Sequence, residues 1–290
     1  MELKNIRTFL RVAELGNFTK AAQELGYAQS TITTQIQQLE SELQCSLFDR
    51  NGKKVTLSAT GRDFMQYAYQ ILKYESMALE HFSPSGGPEG ILSIGLMETI
   101  CASEYTSIFR NFQQKYPKVS LKMQIVTTHQ ALDLLDKGIF DLIFLLDNKI
   151  SSPNRVTARE YPVEIYFFAA STHPLAKEKE VSLDRLLQER FILTEQGCNY
   201  RQVFESELAA RGQKLNCHAE IGYTPYIIQA VRSQQAIGLL PSITLQDSLE
   251  KGLISRIHVK NYQIHMSIQV IYNSNRRISL PLKVFLDELD

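Results

Sequence analysis

The sequence predicts a composite α/β fold: a small all-α N-terminal part built as a winged helix-turn-helix, a long linker helix, and a larger two-lobed α/β part. Three observations predict it. Apolar residues recur at helical spacing through about the first eighty positions, a Gly- and Pro-rich break follows at 83–90, and apolar runs then alternate with amphipathic segments in a βαβαβ rhythm. At 290 residues the chain exceeds the usual size of one globular domain. The expected division is 1–58, then 59–89 as linker helix and hinge, then 90–290 in two lobes, 90–161 with 266–290 and 162–265.

Taking the elements in order, Leu3, Ile6, Phe9, Leu10 and Ala13 form one helical stripe, which stops near Gly16. Asn17 is a good N-cap for a second, short helix with Phe18, Ala21, Ala22 and Leu25 facing inward, and Gly26 suits the turn after it. A third helix carries Ile32, Ile36, Leu39 and Leu43 on its apolar stripe. Its other face is uncharged and hydrogen-bonding. Gln29, Ser30, Thr31, Thr33, Thr34 and Gln37 are the candidate DNA-contacting residues there, because two helices joined by a tight Gly turn place such a face in the major groove. A Gln bonds adenine N6 and N7 in a bidentate way, and a Thr offers a hydroxyl or a methyl to thymine. Such a face alone is ordinary for a surface helix, so the segment after it decides. Asn51-Gly52 between Phe48 and Val55 signals a type I′ hairpin, a wing whose Arg50, Lys53 and Lys54 would reach phosphates or a minor groove.

Charge does not announce this function. The chain has 31 basic and 31 acidic residues, and residues 1–60 carry seven basic against six acidic. The four cysteines, Cys45, Cys101, Cys198 and Cys217, form no C-x-x-C pair and the six histidines no ligand-spaced cluster, so no disulfide framework, metal site or cofactor is expected. No apolar run is long enough to cross a bilayer and no charged-then-apolar leader follows Met1, which makes a cytoplasmic location the expectation. No G-x-S-x-G, G-x-G-x-x-G, P-loop or H-E-x-x-H occurs, so nothing points to an enzyme.

The segments Phe18-Thr-Lys-Ala-Ala-Gln-Glu-Leu25, Gln29-Ser-Thr-Ile-Thr33, Gln35-Ile36, Leu39-Glu40, Leu47-Phe48-Asp49-Arg50 and Leu57-Ser58-Ala-Thr-Gly61 together resemble the LysR-type transcriptional regulators. The match is in register over the whole N-terminal domain, and chain length and later pattern extend it across essentially all 290 residues. The resemblance implies double-stranded operator DNA as a partner, pairing through the linker helix into a homodimer or homotetramer, RNA polymerase as a further partner, and a small-molecule effector of metabolite kind. Departures stand beside it. Ala28 replaces the usual Ser, Thr34 and Gln37 stand where that family commonly has basic residues, and Gln234 and Ala236 replace two glycines.

Ser58 caps the expected linker helix to about Phe82, whose stripe is Phe64, Tyr67, Ala68, Ile71, Leu72, Ala78 and Phe82. So long a helix on so small a domain has nothing of its own to cover it, which points to a dimer. Ser83-Pro-Ser-Gly-Gly-Pro-Glu-Gly90 reads as a hinge.

Beyond it, strands are expected at Ile91–Leu96, Val119–Val126 and Asp141–Leu146 with helices near Ser103–Tyr116 and Gln130–Lys137. A second lobe is expected from Val163–Ala170 through Phe191–Thr194, a helix at Tyr200–Arg211, Cys217–Tyr223, a helix at Pro225–Ser233, and Ile237–Pro241. Strand His265–Tyr272 and helix Leu280–Leu289 return to the first lobe, giving a periplasmic-binding-protein-like arrangement with its ligand in the cleft at strand carboxyl ends. Candidate effector residues are Thr99, Ile100, Thr128, Gln196, Cys198, Tyr223 and Thr224. Backbone amides and the Thr99 hydroxyl near a helix start suit an anion, but each Thr also fits plain capping, and Glu98 argues against a strongly anionic ligand at that point unless it turns away. Two other readings remain. One makes Cys198, a thiol at a helix start, a redox sensor; the other is a solute-binding or enzymatic two-lobed domain whose N-terminal helices only mediate assembly.

Overall fold

The computed structural model describes residues 1–51, 54–82, 87–103, 106–150 and 152–289, with backbone alone at 50, 51, 54, 80 and 81. The chain divides into two compact units, Met1–Ile91 and a larger one that begins at Leu92.

In the first unit α1 (Leu3–Leu15) ends where Gly16 turns left-handed at φ 58°, a conformation that costs glycine little. Asn17 then caps α2 (Phe18–Leu25), its side chain accepting the Thr19 and Lys20 amides at 2.8 and 3.0 Å. Gly26, also left-handed, leads to α3 (Gln29–Leu43). The N-cap of α3 is Ala28, and no side chain caps its first turn, as the missing hydroxyl predicts. Strands β1 (Phe48–Asn51) and β2 (Lys54–Leu57) pair antiparallel. The strand pairing of the expected hairpin forms, with Asn51 itself in β1, opposite Lys54. Gly52 and Lys53 themselves, and the Arg50 and Lys54 side chains, lie outside the described residues.

α4 (Ala59–Phe82) starts at Ser58, whose hydroxyl accepts the Gly61 amide at 2.9 Å. The expectation that this helix lacks cover within its own chain is corrected over its first half. Phe64, Ala68 and Leu72 are buried in one core with Ile6 and Phe9 of α1, and the Phe9 ring meets Phe64 at 5.1 Å and Phe48 at 5.4 Å. Each ring so buried contributes on the order of 2–3 kcal/mol of transfer free energy. Exposed instead are Tyr67 (63%) and Leu79 (60%), with Tyr74 and Phe82. Of the expected hinge, Ser83 to Gly86 lie outside the described residues.

The second unit is one mixed sheet with helices on it. Its elements are β3 (Gly90–Leu96), α5 (Glu98–Cys101), α6 (Thr106–Lys115), β4 (Val119–Ile125), α7 (Thr128–Asp136), β5 (Leu142–Asp147), β6 (Arg155–Ala170), α8 (Leu183–Leu186), β7 (Phe191–Leu193), α9 (Asn199–Ala210), β8 (Cys217–Glu220), α10 (Thr224–Gln234), β9 (Ile237–Pro241), α11 (Ser242–Glu250), β10 (Ile254–Ile257), β11 (Ile264–Asn273) and α12 (Leu280–Asp287). The strand order is β4-β3-β5-β11-β6-β9-β7-β8, with β10 beside β6.

Two long strands make this a two-lobed sheet. β6 pairs antiparallel with β11 from Arg155 to Ile165, then with β9 and β10 from Ile165 to Ala170. β11 in turn pairs β5 over Ser267–Tyr272. The aromatic core follows the same division, with Phe109, Phe112 and Phe144 packed on Phe285 of α12, and Phe167 and Phe191 on Phe204 of α9. No helix among the described residues is long and apolar enough to cross a membrane.

Candidate functional site

On the N-terminal unit the polar edge of α3 faces solvent. Gln29, Ser30, Thr31, Thr34 and Gln37 are exposed and Thr33 is half-buried, while Ile32, Ile36 and Leu39 are sealed in the core. Local bonds settle what each group presents. The Thr33 and Thr34 hydroxyls donate to the Gln29 and Ser30 carbonyls at 3.0 Å, which leaves their lone pairs and methyls outward. Thr19 of α2 donates to Gln29 Oε1 at 3.2 Å, so the Gln29 amide nitrogen points its two donors away from that bond.

Glu40 fixes the wing to this helix, accepting the Leu47 amide at 2.7 Å. Beneath, a buried Thr8–Gln35 bond of 2.6 Å ties α1 to α3. Two of the acidic residues counted in the N-terminal sixty lie beside Thr34 and Gln37: Glu2, paired with Lys4, and Glu42, paired with the Met1 ammonium.

In the C-terminal unit a cleft of about 260 Å³ opens between the two halves of the sheet. One wall comes from the β3–α5 junction and the start of α7, the other from the β7–α9 junction and Gly222 before α10. The walls are bonded to each other. Glu98 reaches across to the first turn of α10, its two oxygens accepting the Thr224 amide at 3.2 Å and the Thr224 hydroxyl at 2.5 Å. The two N–H donors of Asn199 Nδ2, at the head of α9, are shared among Thr128 Oγ1 at 3.0 Å, Leu146 O at 3.0 Å and Asp147 Oδ2 at 2.8 Å. Burial raises the Asp147 carboxyl above its ordinary range.

Between these ties sits a buried polar cluster of Thr99, Thr194, Cys198 and Tyr200, all lining the cleft. The Tyr200 hydroxyl lies beside the other three side chains, yet neither it nor Thr194 Oγ1 makes a bond of hydrogen-bond geometry to any described group. A buried hydroxyl left unpaired costs about 1–3 kcal/mol, so a partner that supplies the missing bonds is favoured there. Burial also pushes the Cys198 thiol up, away from the thiolate that peroxide or disulfide chemistry needs, and all four cysteines are unpaired thiols. That burial weighs against Cys198 as a redox sensor. No group of three or more metal-ligating side chains occurs among the described residues.

Comparison with known proteins gives this geometry its family. Residues 3–62 match the family model for the bacterial regulatory helix-turn-helix protein, lysR family, and residues 85–290 match the LysR substrate binding domain. The chain belongs to the LysR family. It is a LysR-type transcriptional regulator with an effector-binding domain. It is 34% identical to the HTH-type transcriptional regulator YwqM of Bacillus subtilis (strain 168), over 99% of this chain and 98% of that one. It is 29% identical to the RuBisCO operon transcriptional regulator of Allochromatium vinosum, over 96% and 92%. Among solved structures, full-length CbnR in complex with its target DNA shares the fold at a TM-score of 0.70 and 19% identity, over 99% and 98% of the two chains. A probable transcriptional regulator from Pseudomonas aeruginosa, PA0477, shares it at a TM-score of 0.76 and 14% identity, over 100% and 96%.

Within this LysR-type chain the seven effector candidates separate by place. Thr99 and Cys198 line the cleft. Thr128 and Thr224 carry the bonds that join its walls. Ile100 does not present an anion-binding amide: its N–H is bonded to Met97 O at 3.0 Å and its side chain is wholly buried. At the head of α7 the Thr127 and Gln130 amides are likewise engaged, because those two residues cap each other's backbone. Gln196 is exposed, and Tyr223, 59% exposed, precedes α10; neither lines the cleft. Asn199 and Tyr200 fall within the strand-end segment Glu195 to Tyr200 that the sequence places at the cleft, whereas Thr194, just before it, was missed. Side-chain direction is undetermined by spacing there, and no sequence signal tells an unpaired hydroxyl from a bonded one.

Proposed function

We propose that this regulator couples a small molecule bound between its two lobes to the placement of its winged domains on an operator, and so to DNA bending and transcription. Gln29, Ser30, Thr31, Thr33, Thr34 and Gln37 read base edges in this scheme, and Arg50, Lys53 and Lys54 grip phosphates from the wing. The exposed Tyr67 and Leu79 of α4 support pairing with a second copy, with a tetramer as the further assembly. RNA polymerase is the natural downstream partner, and the cytoplasm the place where operator and effector meet.

The observation that carries the reading is the polar cluster around Tyr200, set among direct bonds from one lobe to the other. A ligand that supplies hydrogen bonds to Tyr200 and Thr194 binds one lobe arrangement better than another, and only such differential affinity shifts a conformational equilibrium. Operator binding by the full chain and by a chain lacking residues 1–60 tests the DNA-reading half. Loss of binding on truncation supports it, whereas unchanged binding would turn the N-terminal helices into an assembly module. Footprints taken across an effector titration test the coupling: an altered pattern supports it, and an identical footprint with identical transcription at saturation removes it.

A further inference from the structure

We infer that the ligand of the cleft is a small organic cation, an amine or diamine of at most about ten non-hydrogen atoms, held between the Glu98 and Glu195 carboxylates. The inference rests on the cleft being the effector site. Both carboxylates line it, and no Lys, Arg or His does among the described lining residues. Arg201, which follows Tyr200, turns elsewhere: its guanidinium donates to the Thr194 carbonyl and pairs with Glu205 at 2.7 Å and Glu220 at 2.9 Å. Of the helix starts at the cleft, that of α10 is engaged by Glu98, and at α7 the Thr127–Gln130 cap takes up the Thr127 and Gln130 amides.

Charge is not the only pointer. The Tyr200 and Thr194 hydroxyls are buried at the cleft wall beside Thr99 and Cys198, and neither has a partner of good hydrogen-bond geometry. Their oxygens can accept N–H bonds, and an ammonium carries three donors and no acceptor. Glu98 spends one lone pair of each oxygen on Thr224, and a carboxylate has about four acceptor sites, so it can take a further donor. A cleft of about 260 Å³, the liquid volume of roughly eight or nine waters, suits a ligand of that scale.

The test is calorimetric titration of the full-length protein, at fixed ionic strength, with 1,4-diaminobutane, succinate and 1,4-butanediol, which share a four-carbon spine and differ in charge. The diamine is expected to bind at least about tenfold tighter than either of the others. Glu195→Gln, at an exposed position where no packing is at stake, is expected to weaken the diamine several-fold and leave butanediol unchanged. Succinate binding as tightly as the diamine would overturn the inference, as would diamine affinity indifferent to both Glu98→Gln and Glu195→Gln, or binding by none of the three. Tyr200→Phe separates the two claims. A succinate complex weakened by that substitution keeps the cleft as the site and discards the cation; a bound probe untouched by both Tyr200→Phe and Thr194→Val discards the site as well.

Discussion

Removing the Thr224 hydroxyl isolates the bond that ties the two lobes at Glu98. Thr224→Val keeps the branched shape at a position only 1% exposed and deletes a 2.5 Å bond to a carboxylate. Bonds to charged groups are worth about 1.5–3 kcal/mol, and because Glu98 is only half-buried and water can replace the lost donor, the lower end applies. About 1.5 kcal/mol corresponds to a tenfold change in the opening equilibrium. The Thr224 amide, still bonded to Glu98 Oε1 at 3.2 Å, reports that opening directly. Hydrogen exchange should show its protection falling by about tenfold, with the core amides of β9 unchanged and protection restored in Thr224→Ser. A change below about twofold in Thr224→Val would mean that the hydroxyl carries none of the tie.

Four further outcomes are expected. Tyr200→Phe should leave unliganded stability unchanged or raise it by up to about 1 kcal/mol, since it removes an unpaired buried hydroxyl, while abolishing the ligand-dependent gel shift; a destabilised apo protein would show that the hydroxyl is already satisfied. Gly61→Ala should cost about 2 kcal/mol or more by urea denaturation of the N-terminal unit, because an added Cβ overlaps the Leu47 carbonyl. For a dimer touching roughly six to ten phosphates, log affinity against log salt should fall with a slope of about −5 to −9, and a flat dependence is incompatible with the wing's proposed role. Burial raises the Cys198 thiol, so per-site alkylation should stay slow at neutral pH and still be climbing where an unfolded thiol has levelled off. The native state holds that proton more tightly, so this group's contribution to stability falls as pH rises through and above the ordinary thiol range.

Local chemistry made the N-terminal unit legible. Gly16, Asn17, Gly26 and Ser58 punctuate it within a residue of where the helices begin and end, because turns and caps depend on neighbours in the chain. Packing at a distance did not show. That α1 covers the first half of α4 depends on Phe9 meeting Phe64, and nothing in either stripe says that they share a core. β6 runs from Arg155, eight residues before the strand expected at Val163, because Arg155, Arg159, Glu160 and Pro162 disguise a segment held by β11. Likewise α11, with Leu245 as its only buried residue, and the four-residue β10 carry too little pattern to be seen. At the site, Thr99, Cys198 and Thr224 were legible as residues at strand ends. The Glu98–Thr224 bond spans 126 positions and reverses what the Thr suggests, filling with the chain's own carboxylate a place that had looked suited to an anion.

Fluorescence energy transfer across an operator labelled at both ends measures the bend that the full-length regulator imposes, with and without saturating ligand. Coupling between cleft and wing requires the transfer efficiency to change on ligand addition in the wild type and to stay constant in Tyr200→Phe. Equal efficiencies in the wild type with and without ligand, at full occupancy of both DNA and cleft, would show that the two sites act independently.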